Sequence, residues 1–254
     1  MADVHVEVGD DHVAVVEVRR GPNNFFSYGM IKELADTFEW LSGSGTARSI
    51  VLATEGKHFC AGADFSDPQR GKEPHGGLYL EAVRLFASEL PVVAAVQGAA
   101  IGGGLGLACM PDFRVAAPEA RFSANFARLG FHQGFGLSHT LPRLVGEQKA
   151  LEMFYTGRRV KGEEAFEMGL ADRLVPIEEV RSTAHELAVE IAKSAPLAVR
   201  AIRRTMRGDL AAAVREATDH ELVVQTRLQG TPDFKEGVAS YAERRDGNFT
   251  GSWD

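Results

Sequence analysis

What most limits how this chain can fold is a set of short, nearly all-apolar runs separated by segments of helical periodicity. Ser49–Ala53, Pro91–Val96 and Phe113–Ala116 are such runs. Brief apolar stretches rich in Val, Ile and Ala suit strands buried on both faces. Between the first two, Leu78–Leu90 reads as helix; between the second and third, a Gly-rich turn over Gly98–Gly106 enters a helix ending near Pro111. Strand and helix thus alternate over residues 48–117, the pattern of right-handed βαβ crossovers in a parallel sheet.

Upstream, Val4, Val6 and Val8 alternate with polar residues, Asp10-Asp11 make a turn, and Val13–Val18 form a second run, which predicts a β-hairpin. Ser27 caps a helix whose apolar positions Ile31, Leu34, Ala35, Phe38 and Leu41 follow a 3.6 period, and Ser42–Thr46 reads as a linker. Ser66–Gly77 is polar, with Pro68 and Pro74. From Gln148 onward the periodicity is almost entirely helical, with Leu174-Val175 as the one strand-like pair. Residues 1–195 are therefore read as an α/β core and 196–254 as a helical region whose apolar positions, Val223, Val224 and Leu228 among them, must pack on the core or on another subunit.

The 254 residues carry a net charge of −7, which argues against nucleic acid or an anionic membrane as partner. The longest apolar run, Leu90–Ala108, is broken by Pro91, Gln97 and five glycines, so no membrane span is predicted. Two cysteines, Cys60 and Cys109, make no disulfide framework, and no ligand cluster points to a metal. With no signal-like leader, the chain reads as cytoplasmic.

Two Gly-containing turns carry the chemistry: His58-Phe59-Cys60-Ala61-Gly62-Ala63-Asp64 and Gly98-Ala99-Ala100-Ile101-Gly102-Gly103-Gly104. Each follows a presumed parallel strand, at the end where open α/β sheets place their sites. Glycine lets backbone N–H groups approach a ligand, and a helix start favours negative charge. The second turn fits neither a dinucleotide fingerprint nor a P-loop, and taken alone it is equally consistent with tight helix–strand packing. His58 reads as a loop residue and Cys60 as a buried small side chain.

Taken together, these turns resemble the crotonase superfamily, the enoyl-CoA hydratases and isomerases. So do VVAAVQGAAIGGGLGLACMPDFRVA (92–116), ARFSANFARLGF (120–131), LPRLVGEQKALEMFYTGRRVKGEEAFEMGLADRLVP (141–176) and FKEGVASYAERRDGNF (234–249). The resemblance implies an α/β, ClpP/crotonase-like spiral of ββα units with a helical C-terminal region that builds trimers or dimers of trimers. It implies an acyl-CoA thioester as ligand, with coenzyme A part of the substrate and no separate cofactor. The oxyanion donors fall on the N–H groups of Ala63 and Gly103. Ala61, Gly62, Phe65 and Gly102 belong to the thioester path, Asp64 is structural, and Phe126 and Phe131 suggest an apolar acyl pocket. The two glutamates that hydrate a double bond fall on Gly106 and Phe126, and the dienoyl isomerases' acid on Gly134; none of these carries a proton. Standard hydration is therefore expected to be absent or very weak.

Double-bond isomerisation, or hydrolytic or retro-Claisen C–C cleavage, remains, as does a non-catalytic acyl-CoA-binding subunit. A ClpP-like protease lacks a Ser after a strand-to-helix turn. His132 is the candidate general base, with His139 structural and His75, Tyr79, Glu81 and Arg84 placed by the resemblance over the acyl pocket. Asn125 is a candidate for orienting a water or carbonyl. Lys57, Arg244 and Arg245 are candidates for the coenzyme A phosphates, because Phe249 is followed by Thr250.

Overall fold

The computed structural model describes residues 3–64, 72, 74 and 76–253. The predicted hairpin forms: β1 (Val4–Val8) pairs antiparallel with β2 (Val13–Val18). After α1 (Tyr28–Ser44), β3 (Ser49–Thr54) lies parallel to β2, with Val15 opposite Val51. Then α2 (Gly77–Phe86) leads to β4 (Val92–Val96), parallel to β3. The next elements are β5 (Ala99–Ile101), α3 (Gly103–Cys109), β6 (Phe113–Ala116) and β7 (Arg121–Ser123). Beyond them come α4 (Leu137–Val145), α5 (Glu147–Thr156), β8 (Val160–Lys161), α6 (Gly162–Glu167) and β9 (Arg173–Leu174). Four helices close the chain: α7 (Val180–Ala192), α8 (Pro196–Arg207), α9 (Leu210–Gln229) and α10 (Pro232–Glu243). The main sheet has the order β1-β2-β3-β4-β6-β9, and a smaller one β5-β7-β8.

Physical causes are readable at each layer. Ser27 is extended and its Oγ accepts from the Met30 N–H, so α1 starts where the capping pattern placed it. Its apolar stripe is buried, and Gly45 ends it in the left-handed region, so the first three of the five residues of the expected linker are helix. Every residue of β3 is buried, as its composition required. Ile50 and Leu52 face the core that holds α1, while Val51 and Ala53 face α7. That helix presents Val180, Ala184, Ala188 and Ala192, one per turn, and side chains this small let it lie close on the sheet.

Three sequence expectations need correction. The turn Gly98–Gly106 contains a strand, β5, whose three residues are too few for alternation to register. The smaller sheet was hidden for the same reason, β7 having three residues and β8 two. The helix expected over Leu78–Leu90 stops at Phe86.

A buried cation fastens the C-terminal side. Arg114 is 1% exposed, and its guanidinium donates to the carbonyls of Leu170 and Pro111 and to Asp172 at 2.9 Å. None of the residues of α8 is buried. It is held instead by arginines: Arg203 and Arg207 reach Asp112 at 3.0 and 2.5 Å, and Arg200 pairs with Glu89. Leu197, Ile202 and Met206 are left 80%, 63% and 68% exposed. Among the described residues no helix is long and apolar enough to cross a membrane.

Burial would raise the Asp112 carboxyl, but Arg203, Arg207 and the Val92 N–H outweigh it and hold the carboxyl below its ordinary value. A depressed carboxyl stabilises the fold above the unfolded-state pKa and loses that contribution as pH falls through its folded value. Asp112→Ala is expected to cost about 3 kcal/mol in urea unfolding at pH 7, the lower end for a buried pair losing one partner. The gap between variant and parent should narrow as pH drops below about 4. Both cysteines are buried, and burial pushes Cys60 up to about 11 and Cys109 to about 12. Neither should react with a disulfide reagent at pH 7 until the chain is unfolded.

Candidate active site

The two Gly-containing turns lie side by side. The Cys60 N–H donates to the Ala99 carbonyl at 2.8 Å, and the Ile101 N–H returns to the Cys60 carbonyl at 3.0 Å. On one flank the Phe26 N–H donates to the Gly62 carbonyl and the Ala61 N–H to the Asn23 carbonyl. On the other, the Gly102 N–H donates to the Ser123 carbonyl at 2.8 Å. Four segments are thus laced into one layer beyond the ends of β3 and β4. Asn24, fully buried, ties the layer down: its Nδ2 donates to the carbonyls of Glu55 and His58, and its Oδ1 accepts from the Arg20 N–H.

Such close spacing dictates glycine. Gly62 has φ +97°, and a Cβ there would meet the Ile101 carbonyl oxygen at 2.9 Å. A Cβ on Gly104 would lie 2.1 Å from the Cys60 carbonyl oxygen. Tight packing and site-building are therefore the same fact here.

Beside this layer opens a cavity of about 1050 Å³. Ala61, Gly62, Ala63, Gly102, Gly103, Phe126 and Phe131 all line it. Among the described residues, the N–H groups of Ala63 and Gly103 donate to no protein acceptor. Both sit on the cavity wall, where an incoming oxygen would satisfy them. Phe65 and His75 lie outside the described residues.

One wall of the cavity is aromatic. Phe126 and Phe131 meet edge to face at 5.3 Å between centroids, and Phe26 and Phe135 lie 6.0 Å apart. At Gly106, where the resemblance puts the first glutamate, a Cβ would stand 2.6 Å from the Cβ of Phe135. A Cβ on Gly134 would stand 2.1 Å from the Tyr79 hydroxyl oxygen. That hydroxyl donates to Gln225 Oε1 at 2.7 Å, and Gln225 Nε2 donates to the His132 carbonyl at 2.8 Å. Among the described lining residues the carboxyls are Asp3, which is 3.4 Å from Arg20, and Asp64.

His132 is placed elsewhere than the sequence reading put it. It is not among the residues lining the cavity. Its Nδ1 is 2.8 Å from the Gln133 carbonyl, and its ring packs edge to face on His220 of α9. Burial, ahead of the opposing Gln133 contact and the nearby His220, lowers its pKa. The loop turns this side chain toward α9 because Gly134 and Phe135 occupy the cavity wall. Arg84 and Glu81 pair with one another, and Arg84 also with Asp36 and Glu39 of α1, rather than lining the cavity. Lys57 does not line it either, and Arg245 is paired with Glu236 and Glu243. His58 Nδ1 accepts from the Ala99 N–H at 3.4 Å, and burial lowers its pKa.

Phe26, Phe135, Arg20 and Gln225 were missed as wall residues. Phe135 had a faint signal, a Phe flanked by two glycines, and it adopts a left-handed φ of +62°. Gln225 lies on α9, too far along the chain for any local pattern to link it to the turns.

Known proteins give the arrangement its place. A family model described as enoyl-CoA hydratase/isomerase matches residues 9–252. A putative enoyl-CoA hydratase/isomerase of Bacillus subtilis (strain 168) is 33% identical over 259 residues, covering 96% of both chains. A crotonyl-CoA hydratase of Syntrophomonas wolfei is 32% identical over 247 residues, covering 94% of this chain and 95% of the relative. The crystal structure of an enoyl-CoA hydratase/isomerase from Pseudoalteromonas atlantica superposes with a TM-score of 0.89 at 26% identity, over 98% of this chain and 100% of that one. The spiral α/β architecture is the crotonase fold, and the chain belongs to the enoyl-CoA hydratase/isomerase family.

Proposed function

We propose that the chain binds an acyl-coenzyme A thioester with its carbonyl oxygen at the N–H groups of Ala63 and Gly103. In this reading it supports chemistry through an enolate or tetrahedral oxyanion other than two-glutamate hydration. The observation that carries it is the pairing of two backbone donors lacking protein acceptors with an aromatic wall where a hydratase needs carboxylates. Phe135 fills the space beside Gly106, and Phe126 is itself part of the wall. Isomerisation of a double bond, and hydrolytic or retro-Claisen cleavage of an oxoacyl group, both pass through the charge that such donors stabilise. Acid–base work falls to groups that line the cavity. The Tyr79 hydroxyl and, in place of the structural role the sequence reading gave it, Asp64, next in the chain to the Ala63 donor, are the ones this reading assigns.

The position of His132 outside the lining favours a second reading, a non-catalytic acyl-CoA-binding subunit of the same fold. The oligomer in either reading is a trimer or a dimer of trimers. The support is α8, an amphipathic helix whose apolar side chains Leu197, Ile202 and Met206 point away from its own chain.

Three measurements decide. Purified protein should bind crotonyl-CoA in a calorimetric titration while hydrating it at no more than trace rates; fast hydration ends the proposal. In heavy water it should exchange the α-protons of a bound saturated acyl-CoA, read by mass spectrometry. Ala63→Pro, which deletes one donor without removing a protein hydrogen bond, should slow that exchange about 10²–10³-fold. Binding without any exchange selects the second reading. In light scattering the parent should run as a trimer or hexamer, and Ile202→Asp with Met206→Asp should shift it to monomer.

A further inference from the structure

One buried polar group in the cavity wall is used by nothing so far described. Asn125 is 7% exposed, follows β7 and lines the cavity between Gly102 and Phe126. Its amide makes no hydrogen bond to any described residue, and its oxygen lies 3.2 Å from where a Cβ on Gly102 would be. Of the other buried amides, Asn24 makes three side-chain hydrogen bonds and Gln225 both accepts and donates, while Gln97 donates to the backbone and its Oε1, away from the cavity, has no partner. The Asn125 amide is not sealed inside the protein but opens on the cavity, where a ligand or water completes its hydrogen bonds. The Asn125 amide adjoins Gly102, and Gly102 is one residue from the Gly103 donor, so it stands within a few ångströms of the thioester oxygen's berth.

We infer that Asn125 is a substrate-reading residue, and that the acyl group it selects carries a ketone on the carbon β to the thioester carbonyl. This rests on the acyl-CoA reading of the cavity. Two features beside the amide point to a 3-oxoacyl thioester. An amide NH₂ is a donor suited to a ketone oxygen, and this one shares the cavity wall with the two backbone donors assigned to the thioester oxygen. The hydrogens between two carbonyls are also far more acidic than those of a simple thioester. Such a substrate suits a wall whose described carboxyls are Asp3 and Asp64 and where Gly106 and Phe126 carry none. A site built to hydrogen-bond a substrate oxygen discriminates strongly against the analogue lacking it, because the amide is then left bare.

Acetoacetyl-CoA, 3-hydroxybutyryl-CoA and butyryl-CoA, which share one carbon skeleton, are titrated against the parent chain, Asn125→Leu and Asn125→Ala. The parent should bind acetoacetyl-CoA at least tenfold more tightly than butyryl-CoA, with the 3-hydroxy compound between them. In both variants that ratio should fall toward one, and their retained affinity for butyryl-CoA reports an intact pocket. The inference is overturned if the parent binds acetoacetyl-CoA and butyryl-CoA alike. It is overturned equally if the 3-hydroxy compound matches the ketone, or if the preference survives in both variants. A parent that binds none of the three contradicts the acyl-CoA reading itself, a separate result from a lost preference among compounds that bind.

Discussion

The exchange of backbone hydrogen bonds between Cys60 and its neighbours Ala99 and Ile101 is the contact on which the rest of the site depends. It joins two turns that leave different strands of the main sheet, β3 and β4, and makes them run as neighbours beyond the strand ends. Once they are paired, Ala63 and Gly103 are carried to the same wall. The N–H groups of Ala63 and Gly103 meet no protein acceptor among the described residues and are left on the cavity wall. Asn24 and Gln97 then close the underside: Gln97 donates to the carbonyls of Thr54 and Gly56, and Asn24 to those of Glu55 and His58. Buried amides satisfying turn carbonyls cost little once made and much if removed, which makes the layer stiff.

Much of this was legible in the residues, and the reasons are local. β3 and β4 announce themselves because strands buried on both faces must be apolar at every position. α1 is legible because a capping serine, a stripe with a 3.6 period and a terminal glycine all agree. The turns were legible because only glycine tolerates a carbonyl oxygen 2.1 to 2.9 Å from a would-be Cβ. What escaped had no local cause. β5, β7 and β8 exist because the tight pairing of the turns extends into neighbouring segments, and two or three residues carry no periodicity. His132 was misplaced because a loop position does not say which way a side chain turns. That is set by Phe135 taking the wall and by α9 offering His220 and Gln225 on the far side.

The C-terminal helices divide their work. Helix α9 packs on α2 and α4 and supplies Glu221, fully buried, which accepts from the N–H groups of Gly136 and Ser138 at the start of α4. Burial raises that carboxyl despite these two donors, so it sits as a strained but satisfied clamp on the segment that holds Phe135. Helix α8 does the reverse: Arg200, Arg203 and Arg207 face its own chain and its apolar residues Leu197, Ile202 and Met206 face out. A helix of that polarity is stable only because Asp112 and the carbonyls of Ser88 and Met110 receive its cations.

Phe135 bears on how the sequence can change over generations. Its ring abuts the one place where a side chain on residue 106 would begin. A carboxylate acquired at position 106 by a single codon change would collide with that ring, and a smaller residue at 135 would open a hole under Phe26. Each step alone costs packing energy, so the two positions are coupled and change without strain only together. The aromatic wall then works as a ratchet against a carboxylate at position 106.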